Sequence, residues 1–289
     1  MKQVLFINLV LISYLLSSCA TFMKPPAGPA IPSRPLDAYS GSQFIEKIRN
    51  INEFKREMLI LAEFRRGNIP EHLRTFIPIS IKKRLNNGRT INGRIWVSSD
   101  YLAIGSEQDF VRLPMNPITA QRIADHFGCI LPTAKMVDLI YSQANVKLKP
   151  KPFPPGPNMV RTAQYVRHNE VIEDQIASRD LRQLIAGHKK DVVISNKLLR
   201  KKKKVAIYGW HQMNGKAIQP LSTVHGNYYA DYSHGVRLIA NMMEIEGELV
   251  PVAEVLQNPA IASIISYEGT LKNTRYATEG TWTRKRWHP

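Results

Sequence analysis

Along residues 42–66 the apolar positions fall at Phe44, Ile45, Ile48, Ile51, Phe54, Met58, Leu59, Leu61 and Ala62. This three-and-four spacing predicts one long amphipathic helix or two abutting ones, with Ser42 able to cap the start and Gly67 to stop it. Residues 94–113 change to β-branched and aromatic runs on either side of Gly105-Ser106, the pattern of a hairpin. Asn116-Pro117 opens the next helix, because Asn caps and Pro suits a first turn whose N–H groups have no helical partner. Ile118, Ile123, Ala124 and Phe127 supply its buried face, and Gly128 ends it. A further helix starts at Thr133 as cap, with Met136, Val137, Ile140, Tyr141 and Ala144 turned inward.

A proline-rich crossing, residues 147–157 (KLKPKPFPPGP), then interrupts the pattern as a joint within one domain. Residues 159–185 return to helical spacing, closed by Gly187. After that the period shortens. Residues 191–195 (DVVIS), 205–208 (VAIY) and 236–239 read as short strands, with the basic run 197–204 (KLLRKKKK) as a hairpin tip. Residues 250–265 form a last helix broken at Asn258-Pro259, and residues 269–289 read as a basic, flexible tail. The order predicts an α+β fold: N-terminal helices and a hairpin, then a small, mainly antiparallel sheet. Residues 41–150 form the helical and hairpin half, and 151–268 the helix and strand cluster of the same globular domain.

The N-terminus changes the cellular setting. A basic start, Met1-Lys2, precedes the apolar run 4–16. That run is shorter than the roughly 20 residues of a membrane span and fits the apolar centre of a secretory signal over residues 1–18. It ends in Leu16-Ser17-Ser18-Cys19, which resembles the lipobox of bacterial lipoproteins. The resemblance implies cleavage before Cys19, a lipid anchor on its thiol and attachment to a membrane. Ala20 in place of an aspartate implies the outer membrane where a cell has two. Residues 19–40, dense in proline, then form a tether. The second cysteine, Cys129, has no intrachain partner once Cys19 carries lipid, so it is buried, reactive or bound between chains.

The formal net charge is +17 and the sequence pI about 9.9. Such a chain seeks anionic partners. In the cell envelope these are peptidoglycan or another anionic polymer, and no nucleic acid is expected.

The chemistry-bearing residues are not evenly spread. His188, His211, His225 and His234 fall near the ends of predicted strands, two of them in residues 224–238, VHGNYYADYSHGVRL. Each histidine alone is readily explained as a surface or hydrogen-bonded interior residue; beside Asp231 and Arg237 the set points to a site. In a hydrolase or transferase acting on cell-wall material, His225 or His234 is the general base or acid, Asp231 orients it and Arg237 binds an anionic group. His188 and His211 join the catalytic candidates, because a carboxylate-held histidine works near neutral pH. A zinc ion held by His225, Asp231 and His234 is a second reading, although the chain has no HExxH and no cysteine pair. A third is a non-catalytic lipoprotein that binds envelope glycan or a host macromolecule. Its surface is aromatic and basic: Tyr208, Trp210, Tyr228, Tyr229 and Tyr232, with Ser233 and the 197–204 cations.

Ser233-His234-Gly235-Val236-Arg237-Leu238 resembles the SHGC-x-R-L core of L,D-transpeptidases, which also carry an upstream His-Gly, here His225-Gly226. Val236 occupies the place of the nucleophilic cysteine, and Arg237 comes one position early. Residues 140–148, 191–194 and 205–208 are similar to the nucleophile helix and following strands of NlpC-type papain-like peptidases. In that family the cysteine opens the helix directly, whereas Cys129 lies before Leu131-Pro132-Thr133, and the base position falls on Lys204. Cys129 is then either a thiol served from afar by His188 or His211, or a small buried hydrophobe.

Overall fold

The computed structural model describes residues 28–278. The signal, Cys19, the first part of the tether (residues 19–27) and residues 279–289 lie outside the described residues.

The helical stretch at 42–66 divides in two. Helix α1 (Gly41–Ile48) starts from Ser40, not Ser42: the Ser40 hydroxyl accepts from the Gln43 N–H, and the Gln43 side chain accepts from the Ser40 N–H. This reciprocal capping satisfies two orphan donors. Asn52 caps α2 (Glu53–Arg65) in turn. The chain then makes β1 (Phe76–Arg84) and β2 (Thr90–Ser98), antiparallel from Phe76↔Ser98 to Arg84↔Thr90. The hairpin turning at Gly105 is the short pair β3 (Ala103–Gly105) and β4 (Phe110–Arg112); residues 94–98 belong to β2 instead.

Helix α3 (Pro117–His126) begins where the sequence predicts it, the Asn116 carboxamide oxygen accepting from the Ile118 and Thr119 N–H groups. After β5 (Cys129–Ile130), the Thr133 hydroxyl accepts from the Met136 N–H to open α4 (Ala134–Gln143). Strand β6 (Val146–Lys147) and the proline crossing lead to α5 (Thr162–Ile176). This helix is shorter than the 159–185 pattern: it ends at Ile176, where Ala177 turns to a φ of +51°, and Ile185 and Ala186 form β7 (Ile185–Ala186), parallel to β6.

The strand cluster follows: β8 (Lys190–Val192), β9 (Ile207–His211), β10 (Ala217–Ser222) and β11 (His234–Gly235). They form a sheet in the order β10-β9-β8-β11, antiparallel except where β11 runs parallel to β8. Next come β12 (Ile239–Ala240), β13 (Met242–Ile245), β14 (Glu248–Pro251) and α6 (Val252–Gln257). The first three join a second sheet in the order β14-β13-β2-β12-β5, with β1 also on β2. Of the predicted strand at 236–239 only Ile239 lies in a strand, residues 236–238 linking β11 of one sheet to β12 of the other, and Asn258-Pro259 ends α6 outright. The fold is α+β, with mainly antiparallel sheets.

One continuous apolar core runs between the sheets and helices, with Phe44, Phe64, Ile95, Phe127, Met136, Ile207 and Met243 all nearly sealed from solvent. Full burial of each such side chain contributes about 1.5–3 kcal/mol. The segment expected to be a flexible tail packs back as far as Thr278. Leu271 and Tyr276 are buried, and the Tyr276 hydroxyl donates to the Val193 carbonyl while accepting from the Ala206 N–H. Among the described residues no helix is long and apolar enough to cross a membrane.

Candidate functional site

A buried charge must find a partner, so polar side chains inside this core come in sets. Among the described residues three histidine–aspartate pairs stand out, and they differ in what surrounds them.

The first is sealed. Asp100 and His188 are 0 % and 1 % exposed, with His188 Nε2 at 3.0 Å from Asp100 Oδ1. Arg112 Nε donates to Asp100 Oδ2 at 2.8 Å, and its Nη1 reaches Asn169 and Glu173. Burial would raise the Asp100 carboxyl, but the Arg112 and His188 charges and hydrogen bonds hold it well below its usual range. Burial pulls His188 down to about 4 against the attraction of Asp100, so it is neutral at neutral pH. Tyr101 stands edge-on to His188 and donates its hydroxyl to Asp191 at 2.7 Å. Burial pushes Asp191 up to about 6.

The second pair lies in VHGNYYADYSHGVRL. Val224 is exposed, His225 half-buried, and everything from Ala230 onward is buried. Asp231 Oδ1 accepts from the Ser233 N–H at 2.8 Å and the Ser233 hydroxyl at 2.5 Å; Oδ2 accepts from the Tyr229 hydroxyl at 2.9 Å. His234 Nε2 is 4.0 Å from Asp231 Oδ2, too far for a hydrogen bond, and neither ring nitrogen has a partner. Burial lowers His234 to about 4. Burial also raises Asp231, but His234 and the two Ser233 hydrogen bonds outweigh it and leave the carboxyl low. His225 stacks on Tyr229 with ring centroids 4.1 Å apart. Gly235 has to be glycine, because a Cβ there would lie 2.5 Å from the Tyr101 ring.

The third pair is open on its carboxylate side only: Asp138 is 29 % exposed and His211 2 %. Asp138 projects from α4 and accepts from His211 Nε2 at 2.7 Å, from the Tyr208 hydroxyl at 3.0 Å and from the Tyr267 hydroxyl at 2.8 Å. An ionised carboxylate only accepts, so Nε2 carries the proton it donates to Asp138. His211 stacks on Tyr141 at 4.4 Å between centroids, and the Tyr141 hydroxyl is tied to the Gln212 carbonyl. The pair lines a cleft of about 790 Å³ that also takes in Tyr141, Tyr208, Lys147 and Lys216.

A backbone distortion assembles this third site. In a regular strand, residues three apart face opposite sides, so Tyr208 and His211 could not share one carboxylate. Gly209 and Trp210 have φ of +108° and +56°, a left-handed stretch that is costly for a bulky side chain. It breaks the alternation and brings both side chains to Asp138. A Cβ on Gly209 would sit 3.2 Å from Val137 Cγ1 and 3.5 Å from both the Asp191 carboxylate and the His211 ring. Glycine permits both the angle and the close approach.

The predicted site residues thus divide. His225, Tyr229, Asp231, Ser233 and His234 come together in one network. His188 and His211 each pair with an aspartate from another part of the chain. Trp210 is 4 % exposed and Tyr232 1 %, so neither offers an open aromatic face. Arg237, expected to meet an anion, is buried: its Nη1 and Nη2 donate to the Ser98 and Ile185 carbonyls, and it lies over the Tyr101 ring. Cys129 lies on β5 with its thiol against the Phe127 carbonyl, and burial pushes it up, so it stays a thiol. Among the described residues no three His, Cys, Asp or Glu side chains are placed to hold a metal ion. Asp231 is already occupied by Ser233 and Tyr229.

Asp100, Asp138 and Tyr267 carry two of the three pairs and were not singled out from sequence. Asp138 does leave a signal, a lone carboxylate among the inward residues of α4. A scan against protein-family models, a comparison with curated proteins and a comparison with solved structures each find no match.

Proposed function

We propose that this chain is a lipid-anchored, envelope-facing hydrolase or transferase acting on cell-wall material, and that its reactive centre is His211–Asp138. One observation carries the reading: of the three pairs, this one lines a cleft, with His211 Nε2 at 2.7 Å from a carboxylate that is 29 % exposed. The cleft holds no thiol among its lining residues and its Ser142 hydroxyl donates to the Leu139 carbonyl, so the nucleophile in this reading is water or a substrate hydroxyl. As that oxygen attacks the acyl or glycosidic carbon, Nδ1 takes its proton and Asp138 stabilises the imidazolium. The proton then passes to the departing nitrogen or oxygen as the old bond breaks. The anchor rests on the Leu16–Cys19 lipobox resemblance, and the substrate class on the envelope setting and the lysines at the cleft.

The test is release of soluble fragments from purified peptidoglycan sacculi by the mature chain. Wild type is expected to release them, and Asp138→Asn and His211→Ala to release them at least about 100-fold more slowly. Co-sedimentation with sacculi without release would favour the non-catalytic glycan-binding reading. Full release by His211→Ala would remove the pair from the mechanism.

A further inference from the structure

Strand β10 is an edge strand, paired with β9 on one side only. Along it the His211 cleft is one of three adjoining depressions. Pro220 lines both this cleft and a larger groove of about 940 Å³. Met213 and Asn214 line both this cleft and a recess of about 490 Å³, bounded by Pro150, Pro152 and Ile218. The six residues of β10 cover about 20 Å at ~3.3 Å each, several times the reach of one bond-cleaving centre.

The charges follow the same line. Lys147, Lys149 and Lys216 stand at the recess and the central cleft. Arg200, Lys201 and Lys272 are exposed at the far groove, and none of the six pairs with a carboxylate among the described residues. The two carboxylates on the path are engaged: Asp138 by His211 and two tyrosines, Glu268 by the Ser195 hydroxyl and the Asn196 N–H. Leu199 and Leu221, with Ser222, Thr223 and Thr270, give the far groove apolar and hydroxyl surface between its cations.

We infer that the three depressions form one binding track, on which a linear, carboxylate-bearing glycan lies along β10 and passes over His211. This deepens the proposed function and rests on it for the position of the reacting bond. The edge itself argues for a glycan over an added peptide strand. Pro220 has no N–H to donate, and the β9–β10 register shifts between Gln219 and Ser222, so a ladder cannot continue there. Side-chain cations and hydroxyls hold the polymer instead, and the Arg200–Lys201–Lys272 groove is a subsite remote from the chemistry.

The test is equilibrium binding by fluorescence anisotropy. The probes are sized peptidoglycan glycan strands with their peptide stems, and the same strands with carboxylates amidated. For wild type, affinity should rise with strand length until the track is filled, and fall with salt and with amidation. The combined Arg200→Ala, Lys201→Ala, Lys272→Ala variant changes three exposed side chains. It should bind long strands about tenfold more weakly, keep its affinity for the shortest ones and keep its melting temperature. Length-independent binding, equal binding of amidated strands, or an unaffected variant would each overturn the track. Binding does not require turnover. Strands bound with this length and charge dependence but never cut would sink the acid–base reading alone, whereas strands cut equally well by the triple variant would sink the track alone.

Discussion

Asp100–His188 and Asp138–His211 use the same two side chains at similar distances, 3.0 and 2.7 Å. Around Asp100 the remaining lone pairs are taken by Arg112 and the Tyr101 N–H, and both partners are sealed. Around Asp138 they are taken by two tyrosine hydroxyls, and the carboxylate is 29 % exposed at a cleft. A guanidinium partner balances charge and fixes geometry; it makes a structural joint. Tyrosines orient a carboxylate without neutralising it, leaving its charge available to a histidine that gains a proton. The Asp231–His234 pair lies between these cases. Its aspartate is fully hydrogen-bonded, and its histidine is buried and neutral.

The largest contrast is in stability. Asp100→Ala leaves Arg112 short of its buried partner and should destabilise by about 3–5 kcal/mol in urea unfolding. Asp138→Ala removes a carboxylate that is 29 % exposed but leaves the buried His211 Nε2–H without its acceptor, and should cost about 1–2 kcal/mol. Equal losses would erase the distinction between joint and site.

A pH dependence sharpens it. His188 and His234 titrate near 4 when folded and near 6.5 when unfolded. As pH falls below 6.5 the unfolded chain takes up protons first, so their contribution is complete above about pH 6.5 and gone near pH 4. At about 1.4 kcal/mol per unit, each contributes at most on the order of 3 kcal/mol. Asp191 and Glu57, raised to about 6 and about 7 by burial, act in the opposite sense over an overlapping range, because the folded chain protonates first. The readout is therefore the variant: His188→Asn and His234→Asn should each flatten the rise of stability from pH 4 to 6.5. An unchanged slope would mean that these rings are not held neutral.

A smaller effect tests how the open pair is assembled. Gly209→Ala forces a Cβ into the left-handed stretch beside His211 and should cost about 1–3 kcal/mol. Turnover should fall more than stability, since Tyr208 and His211 lose their shared approach to Asp138. Retained turnover would show that the kink is incidental.

Local chemistry was legible in the sequence, and distant pairing was not. Asn116 and Thr133 cap the helices they were expected to cap, because capping is settled within three residues. Strand β1 was missed because Pro78 and the Lys82-Lys83-Arg84 run mask its alternation; its pairing with β2 outweighs propensity. The histidine window was visible, but the aspartates that decide each ring's role lie 88 residues away at Asp100 and 73 away at Asp138. VHGNYYADYSHGVRL drew notice for its density of polar groups. In the fold that density forms a closed network, and the His211–Asp138 pair proposed to react lies on β9, across β8, at a kink that no spacing rule announces.

His211 is 2 % exposed, close to His188 and His234, but it alone of the three lines a cleft, beside a carboxylate that is 29 % exposed. Deuterium exchange at the ring Cε1–H position, followed residue by residue by mass spectrometry in the native protein, measures directly whether the cleft gives this ring access to solvent. His211 should exchange at least about tenfold faster than His188 and His234, whose rings open only with the core. Exchange of His211 as slow as theirs, or of His234 as fast as His211, would contradict the role proposed for His211.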